Sequence, residues 1–261
     1  MRISISLGSY KENAAYDYVF LSPHLDDVAL SCGGFVSKLT ESGSSVLVVT
    51  FFAGDPPRSP LSQLARKAHE LWGLDEQAMR VRREEDSRAC GVLGADYIHL
   101  GLVDCIYRRH PRSGEPLYST QDDVFGAIHP EDLDSVFMDI SASITTLPSA
   151  KHMFAPLGIG GHVDHQLLCM AVGEVMTTTI SFYEDYPYSI RSKWSAPTKA
   201  LAELHDIPIQ VLERKLRAIC AYTSQISPIF SNEANMITQV MAHLRAIGGE
   251  RFWHQVGTYD D

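Results

Sequence analysis

Short apolar runs alternate with segments of helical periodicity along most of this chain. Residues 45–52 are apolar or β-branched almost throughout, which is typical of a strand buried on both faces of a parallel sheet. Residues 77–93 show helical spacing instead, and Gly94 then provides a C-terminal cap. This alternation predicts a Rossmann-like three-layer α/β sandwich with a mostly parallel central sheet. The predicted strands are 18–21, 45–52, 96–100, 151–155 and 179–183, and the predicted helices begin near 28, 61, 77, 133, 166, 209 and 234.

The composition is that of an ordinary globular protein, with 45% hydrophobic residues over a length of 261. No shift in composition marks a boundary, so we expect a single domain over residues 1–261. No apolar run approaches the roughly 20 residues of a membrane helix, and the N-terminus lacks the pattern of a signal peptide. Five scattered cysteines without a Cys-x-x-Cys pair argue against disulfides and thiolate zinc sites. We therefore expect a cytoplasmic protein without an integral membrane segment.

The charge balance limits the partners. There are 22 basic and 32 acidic side chains, which give a net charge of −10. A general nucleic-acid binder needs clustered cations to contact phosphates, and this chain has only short, interrupted basic runs. We expect a small-molecule substrate and no nucleic acid, while assembly into a homo-oligomer is left open.

The first cluster of chemically active side chains follows the first predicted strand. His24, Asp26 and Asp27 stand within four residues, between strand 18–21 and a helix that contains Gly33 and Gly34. One reading is a metal site with a spare carboxylate as proton acceptor. The other is a polar turn whose carboxylates cap the next helix. No Gly-x-Gly-x-x-Gly follows this strand, which argues against a dinucleotide site.

A second cluster repeats this arrangement after strand 151–155. Gly160 and Gly161 precede His162, Asp164 and His165, and an apolar helix follows. Histidines three residues apart lie on one helical face, so both can point to one centre. Three protein ligands and one open position are typical of catalytic zinc, although two histidines and a carboxylate also suit iron(II). The alternative is an exposed pair of histidines at a helix start.

The two clusters together resemble the PIG-L/LmbE family of zinc-dependent de-N-acetylases. The similarity rests on Pro23-His24-Leu25-Asp26-Asp27 and His162-x-x-His165, and is supported by Arg82-x-x-Glu85 and Asp104-x-x-Tyr107-Arg108. It extends over roughly residues 18–230. The resemblance implies an LmbE-like fold and a hydrolase that removes an N-acetyl group from an amino sugar or glycoconjugate.

The resemblance also implies a role for each matched residue. His24, Asp27 and His165 correspond to the ligands of one zinc ion per chain. Asp26 corresponds to the general base that takes a proton from water, and His162 to the group that steadies the intermediate and protonates the departing amine. General acid–base chemistry is consistent with both assignments, because a carboxylate that is not a ligand can accept a proton and a histidine titrates near neutrality.

Two positions depart from the family pattern. Val28 stands where an acidic residue usually follows the aspartate pair, which alters the support of a ligand. Gly160 stands where some relatives have a tyrosine that donates to the oxyanion, so another donor is needed or the rate is lower. Neither departure removes a ligand or the base.

Arg82 and three further acidic residues each allow two interpretations. Arg82 either reaches the substrate or forms an ion pair with Glu85 in the same helix. Asp104 either accepts a hydrogen bond from a sugar hydroxyl or caps a loop. Glu184 and Asp185 either line the substrate entrance or belong to an acidic surface loop.

Two other functions use the same residues. A metal-dependent phosphoesterase is the first, although two-metal phosphatases usually need more carboxylates and histidines. The second is a catalytically silent binding protein that a metal stabilises. Metal content and the effect of replacing Asp26 separate these alternatives from a deacetylase.

Overall fold

The predicted strands all lie in one sheet. The computed structural model describes residues 5–6, 10, 14–175, 180–197 and 200–255, so residue 179 of the last predicted strand lies outside the described ranges. Within these ranges the sheet has eight strands. They are β1 (Ile5–Ser6), β2 (Tyr16–Ser22), β3 (Val46–Thr50), β4 (Asp96–Leu100), β5 (Ala150–Pro156), β6 (Ile180–Tyr183), β7 (Ala200–His205) and β8 (Glu250–Gln255).

The centre of the sheet is parallel and its two edges are antiparallel. The strand order is β1-β4-β3-β2-β5-β6-β8-β7. Neighbours from β4 through β6 pair in parallel, whereas β1, β7 and β8 pair antiparallel. The α/β class and the mostly parallel sheet are thus confirmed.

Alternate residues of β2 pack into different cores. Val19 and Leu21 belong to one apolar cluster, which includes Leu167 of a helix on that face. Phe20 belongs to another, which includes Phe35 and Ala89 of helices on the opposite face. Because side chains alternate along a strand, the sheet is covered on both sides, as a three-layer sandwich requires.

Eleven α-helices lie in the described ranges. None of them combines the length and apolar character that crossing a bilayer would require. The helix predicted from residue 133 is divided at Ser135, whose backbone leaves the helical region. The helices are α1 (Asp27–Glu41), α2 (Gln63–Trp72), α3 (Ala78–Leu93), α4 (Gln121–Val124), α5 (Pro130–Asp134), α6 (Val136–Thr145), α7 (Val163–Val175), α8 (Tyr188–Arg191), α9 (Ile209–Cys220), α10 (Thr223–Phe230) and α11 (Glu233–Ile247).

The chain reverses direction across the sheet between β2 and β5. From β2 it moves to β3 and β4 on one side, and it then returns to place β5 against the other side of β2. Crevices beyond the carboxyl ends of strands at such a switch point are the usual ligand sites of open α/β sheets. The two predicted clusters follow β2 and β5, so the topology brings both to this crevice.

A buried ion pair supports α1, the helix that begins at Asp27. The helix is kinked at Cys32, whose φ of −135° is not helical. Lys215 Nζ donates to the carbonyl oxygen of Leu30 at 2.6 Å and to Glu250 Oε1 at 2.7 Å. Glu250 in turn accepts from the backbone nitrogen of Phe35 at 2.6 Å. The pair therefore provides hydrogen-bond partners on both sides of the kink.

We expect Glu250→Gln to lower the free energy of unfolding by about 3–5 kcal/mol, because removing one partner leaves the buried Lys215 charge uncompensated. Urea unfolding followed by circular dichroism measures this change. The matched control is Asp206→Asn, which breaks the exposed Lys38–Asp206 pair (side chains 39% and 80% exposed) and should cost less than about 1 kcal/mol. Equal losses in the two variants would contradict a supporting role for the buried pair.

Candidate active site

The two clusters meet at the switch point. The imidazole centroids of His24 and His165 are 5.2 Å apart, although the two residues are distant in the sequence. The ring of His162 lies 4.7 Å from that of His24. Two turns that follow neighbouring parallel strands therefore place three buried histidines around one point.

Asp27 lies between two of these histidines. Its Oδ2 is 3.4 Å from His24 Nδ1 and 3.3 Å from His165 Nε2. The same oxygen accepts a hydrogen bond from the His24 backbone nitrogen at 2.7 Å, which fixes the carboxylate. His165 Nε2 is buried and has no hydrogen-bond partner among the described residues. A buried nitrogen without a partner, facing a carboxylate and a second imidazole, fits a divalent cation.

Nearby carboxylates stabilise positive charge on His24 and His165. Burial alone lowers the pKa of His24, but the carboxylates of Asp104, Asp164 and Asp27 outweigh it and raise the pKa well above its usual value. Burial likewise opposes protonation of His165, yet Asp27 and Asp185 raise its pKa to about 9. A site that stabilises protons on its imidazoles in this way can stabilise a metal cation in their place.

A second set of ligand atoms is also close enough. His24, His162 and His165 each offer a nitrogen, and these nitrogens lie within 4.8 Å of one another. The geometry thus allows His162 as an alternative to Asp27. His162 precedes α7, which begins at Val163, so the prediction that both histidines lie on one helical face was wrong in detail. The rings of His162 and His165 are nevertheless 5.2 Å apart.

Carboxylates orient both histidines from behind. His24 Nε2 is 2.9 Å from Asp164 Oδ2, and His165 Nδ1 is 2.6 Å from Asp185 Oδ1. Each hydrogen bond directs the other ring nitrogen toward Asp27, an arrangement that metal-ligating histidines commonly have. This role of Asp164 and Asp185 was not predicted from the sequence. The position of Asp164 between His162 and His165 was the available signal for one of them.

Asp164 is itself held by a buried network. Arg108 Nη2 donates to Asp164 Oδ1 at 2.5 Å, and the Cys105 backbone nitrogen donates to Oδ2 at 3.1 Å. Burial disfavours the charged carboxylate, but Arg108 and His24 outweigh it and hold the pKa of Asp164 well below its usual range. Asp164 is therefore a fixed anion behind His24.

Asp26 differs from its neighbour Asp27. Its φ is +147°, a conformation that non-glycine residues rarely adopt and that persists where the surrounding structure enforces it. Burial and the adjacent charge of Asp27 raise the pKa of Asp26 to about 7. The side chain lines the cleft. A carboxylate with a pKa near neutrality can both accept and return a proton at physiological pH.

A hydrogen bond from the backbone determines which ring nitrogen of His162 carries the proton. The Asp164 nitrogen donates to His162 Nδ1 at 3.2 Å, so this nitrogen is an acceptor. Burial, and then the positive charge of His24, lower the pKa of His162 well below its usual value. A neutral ring with an acceptor at Nδ1 carries its proton on Nε2, from which it can donate a hydrogen bond. This state suits the predicted role of steadying the intermediate, but it does not suit the predicted protonation of the amine.

Arg82 does not form the ion pair with Glu85 that was one of its two readings. Glu85 instead accepts hydrogen bonds from the Ser224 backbone nitrogen at 2.8 Å and its hydroxyl at 2.6 Å. The Arg82 guanidinium lies 4.5 Å above the Trp72 ring, and its Nη2 is 3.8 Å from Asp26 Oδ2. Arg82 and Trp72 both line the cleft, which is the position the substrate-facing reading requires.

Asp104 caps a loop and also lines the cleft. Its Oδ1 accepts from the Ile106 backbone nitrogen at 3.1 Å and caps a short 3₁₀ turn. Its Oδ2 is 3.7 Å from His24 Nε2, and the residue also lines the cleft. Asp104 is thus a cap that presents one oxygen to the site.

Glu184 and Asp185 belong neither to the substrate entrance nor to a surface loop. Both are buried. Glu184 accepts hydrogen bonds from Arg251 and Trp253, each at 3.1 Å, and Asp185 contacts His165 as described above. The prediction failed because an acidic dipeptide after a strand is usually solvated, and these partners come from a distant part of the chain.

The two departures from the family pattern have structural counterparts. Val28 is buried in the apolar cluster that contains Phe20 and Phe35, so it packs the first turn of α1 instead of supporting a ligand. Gly160 has a φ of +91°, and a Cβ at this position would lie 2.7 Å from the Cβ of Tyr188. A side chain at residue 160 is therefore excluded by Tyr188.

The site opens into a cleft of about 900 Å³. Asp26, Asp27 and His24 form its base. The walls come from α2, the segment 121–125, α8 and α10, and they include Trp72, Phe125, Tyr188 and Arg191. The cleft is far larger than an acetyl group and has both aromatic and charged walls, as a carbohydrate site has.

Several known proteins that are similar to this chain in sequence or in structure are named as deacetylases. The 2'-N-acetylparomamine deacetylase of Niallia circulans is 30% identical over 238 residues, which is 83% of this chain and 83% of that protein. The 2'-N-acetylparomamine deacetylase of Streptomyces fradiae is 27% identical over 256 residues, or 90% of this chain and 80% of that protein. Among solved structures, teicoplanin deacetylase Orf2 in a zinc-inhibited form has a TM-score of 0.81 and 25% identity, and covers 95% of this chain and 100% of that one.

The family model described as PIG-L, GlcNAc-PI de-N-acetylase, matches residues 19–176. This range begins in β2, ends after α7 and contains both clusters of the site. The match covers more than half of the chain, and the relatives just named cover most of it. The chain therefore belongs to the PIG-L family.

Proposed function

We propose that this protein is a metal-dependent hydrolase that removes the N-acetyl group from an amino sugar. The observation that carries the proposal is the pairing of Asp27, which faces His24 and His165, with Asp26, which faces the cleft and has a raised pKa. One aspartate is thus suited to a cation and the next to a proton. The named relatives are deacetylases, which supports the same reaction class.

His24, Asp27 and His165 would hold the metal. Two imidazoles and one carboxylate suit Zn²⁺, and iron(II) fits the same donors. When bound, such a cation lowers the pKa of water and polarises the amide carbonyl. His165 Nε2 is buried and has no hydrogen-bond partner among the described residues, so a bound cation would satisfy it.

The remaining residues move protons and hold the substrate. Asp26 would accept a proton from the attacking water, since its carboxylate is buried in the cleft without a hydrogen bond from Arg82. The same carboxylate would return that proton to the departing amine, and the neutral His162 ring would donate an Nε2 hydrogen bond to the reacting amide. Arg82 and Asp104 would bind sugar hydroxyls, and the Trp72 ring would pack against the sugar face.

The substrate we propose is an N-acetylated amino sugar that is part of a larger glycoconjugate. The relatives act on 2'-N-acetylparomamine and teicoplanin by their names, and both are larger than a single sugar. The cleft is open to solvent, so the remainder of such a molecule could extend beyond it. Acetate release from a panel of N-acetylated sugars and glycosides tests the proposal, with metal analysis of the same sample.

Metal removal should abolish the reaction. We expect dipicolinate treatment to reduce acetate release to background, and one equivalent of Zn²⁺ or Fe²⁺ to restore it, because the site contains donors for one cation. Acetate release and elemental analysis before and after treatment provide the measurement. Full activity in protein shown to be metal-free would exclude a metal-dependent mechanism.

The carboxylate behind His165 should tune metal affinity. We expect Asp185→Asn to weaken metal binding by about 10–100-fold, because the His165 ring loses the acceptor that fixes its orientation. Competition with a chromophoric chelator measures the affinity. The adjacent Glu184→Gln is the control, since Glu184 contacts Arg251 and Trp253 instead of a candidate ligand. Equal affinities for Asp185→Asn and the unaltered protein would contradict the orienting role.

A further inference from the structure

One phenol in the cleft has no structural role that the rest of the fold explains. Tyr188 is the first residue of α8 and lines the cleft beside His162. Its ring stands nearly perpendicular to that of His165, at 89° with a centroid distance of 5.4 Å. The Phe125 ring lies 5.6 Å away on the cleft wall. The side chain is therefore packed against the base of the site.

The backbone around Gly160 is shaped to accept this ring. A Cβ at Gly160 would lie 2.7 Å from Tyr188 Cβ and 2.9 Å from its Cγ, which is closer than real Cβ contacts. Gly158, in the same loop and with a similar positive φ of +79°, has its nearest neighbour at 3.7 Å. The absence of a side chain at residue 160 thus serves the placement of Tyr188, whereas Gly158 meets only a backbone requirement.

The hydroxyl of Tyr188 is uncommitted. Two buried tyrosines use theirs within the fold: Tyr183 donates to the Leu21 carbonyl oxygen at 2.8 Å, and Tyr222 donates to Asp86 at 2.6 Å. Among the described residues, none forms a hydrogen bond with the Tyr188 hydroxyl. A phenol has a pKa of about 10 in water, so this hydroxyl keeps its proton at neutral pH.

We propose that Tyr188 is a catalytic residue that donates a hydrogen bond to the carbonyl oxygen of the scissile amide as that oxygen gains negative charge. The proton stays on the phenol throughout, so the step forms and breaks no covalent bond. Asp26 then accepts the proton of water and returns it to the departing amine, and the neutral His162 supplies a second hydrogen-bond donor. This inference rests on the proposed function, and preorganised donors of this kind are most effective where water is excluded.

Tyr188→Phe tests the donor, because it removes one oxygen and keeps the ring. We expect kcat to fall by about 10²–10³-fold, with KM within about twofold and metal content unchanged. The control is Tyr186→Phe, which removes a buried hydroxyl that has no hydrogen-bond partner in the described part of the chain. It should leave kcat unchanged.

Gly160→Ala provides an independent test, because the added methyl group displaces the Tyr188 ring. It should lower kcat to the level of Tyr188→Phe, and the double variant should be no slower than either single variant. The matched control is Gly158→Ala, which introduces the same backbone strain without a contact below 3.7 Å. Its kcat should stay within a fewfold of the unaltered protein. Additive losses in the double variant would overturn the link between Gly160 and Tyr188.

Binding of an analogue supplies a readout that does not depend on turnover. The N-methylphosphonyl derivative of glucosamine places a charged oxygen where the amide oxygen develops charge. Tyr188→Phe should weaken its binding by the same factor as it lowers kcat/KM, while glucosamine binding stays unchanged. A loss confined to KM, or unchanged analogue binding, overturns the inference even if the protein is a deacetylase. If metal-loaded unaltered protein releases no acetate, the proposed function fails, and this inference fails with it.

Discussion

Asp26→Asn is expected to slow acetate release by about 10³-fold while the protein keeps its metal. The amide of asparagine has nearly the shape of the carboxylate but cannot accept a proton at neutral pH. General-base catalysis contributes about 10²–10⁴-fold, and Asp26 is the cleft-lining carboxylate whose pKa is raised to about 7. Steady-state kinetics on the best N-acetylated substrate measures the loss, and elemental analysis measures the metal.

An exposed aspartate that does not line the cleft is the control for Asp26. Asp55 pairs with Arg83 at 2.8 Å, and its side chain is 70% exposed. Asp55→Asn should leave kcat unchanged. If Asp26→Asn were as active as Asp55→Asn, the assignment of Asp26 as the base would be wrong. If it lost the metal, Asp26 would be a ligand instead.

Asp27→Ala is expected to lose both the metal and the activity, whereas His162→Ala is expected to lose only the activity. Both side chains face His24 and His165, so the geometry alone allows either as the third ligand. Asp27 Oδ2 lies 3.4 Å from His24 Nδ1 and 3.3 Å from His165 Nε2, and His162 Nδ1 already accepts from the backbone. The affinity loss for Asp27→Ala should exceed the about 10–100-fold expected for an orienting carboxylate.

The pair of variants separates two ligand sets with one measurement of metal content. Retention of one metal per chain in Asp27→Ala, together with its loss in His162→Ala, would replace Asp27 by His162 in the coordination sphere. His165→Ala serves as the reference, because His165 belongs to both sets and its removal should release the metal in either case.

The sequence predicted the sheet and the convergence of the two clusters for a simple reason. A run such as 45–52 is apolar on both faces, so it has only one environment available, the middle of a parallel sheet. Clusters that follow two such strands then lie at the same edge. The pairing of β2 with β5 brings the segments that carry His24 and His165 to the same edge of the sheet.

The partners of the site residues could not be predicted in the same way. Asp185 contacts His165 only because β6 lies beside β5, and Tyr188 reaches the cleft only because Gly160 makes room for it. These contacts depend on three-dimensional packing and leave no periodic pattern. The strands β7 and β8 were missed for a related reason, because β7 is largely exposed and is held by pairing with distant residues.

The central claim is that His24, Asp27 and His165 share one cation. X-ray absorption at the zinc edge, on protein loaded with one equivalent of Zn²⁺, tests it most directly. We predict a first shell at about 2.0–2.1 Å with the multiple scattering of two imidazoles and the remaining ligands oxygen. A spectrum with three imidazoles, or with none, would contradict the claim.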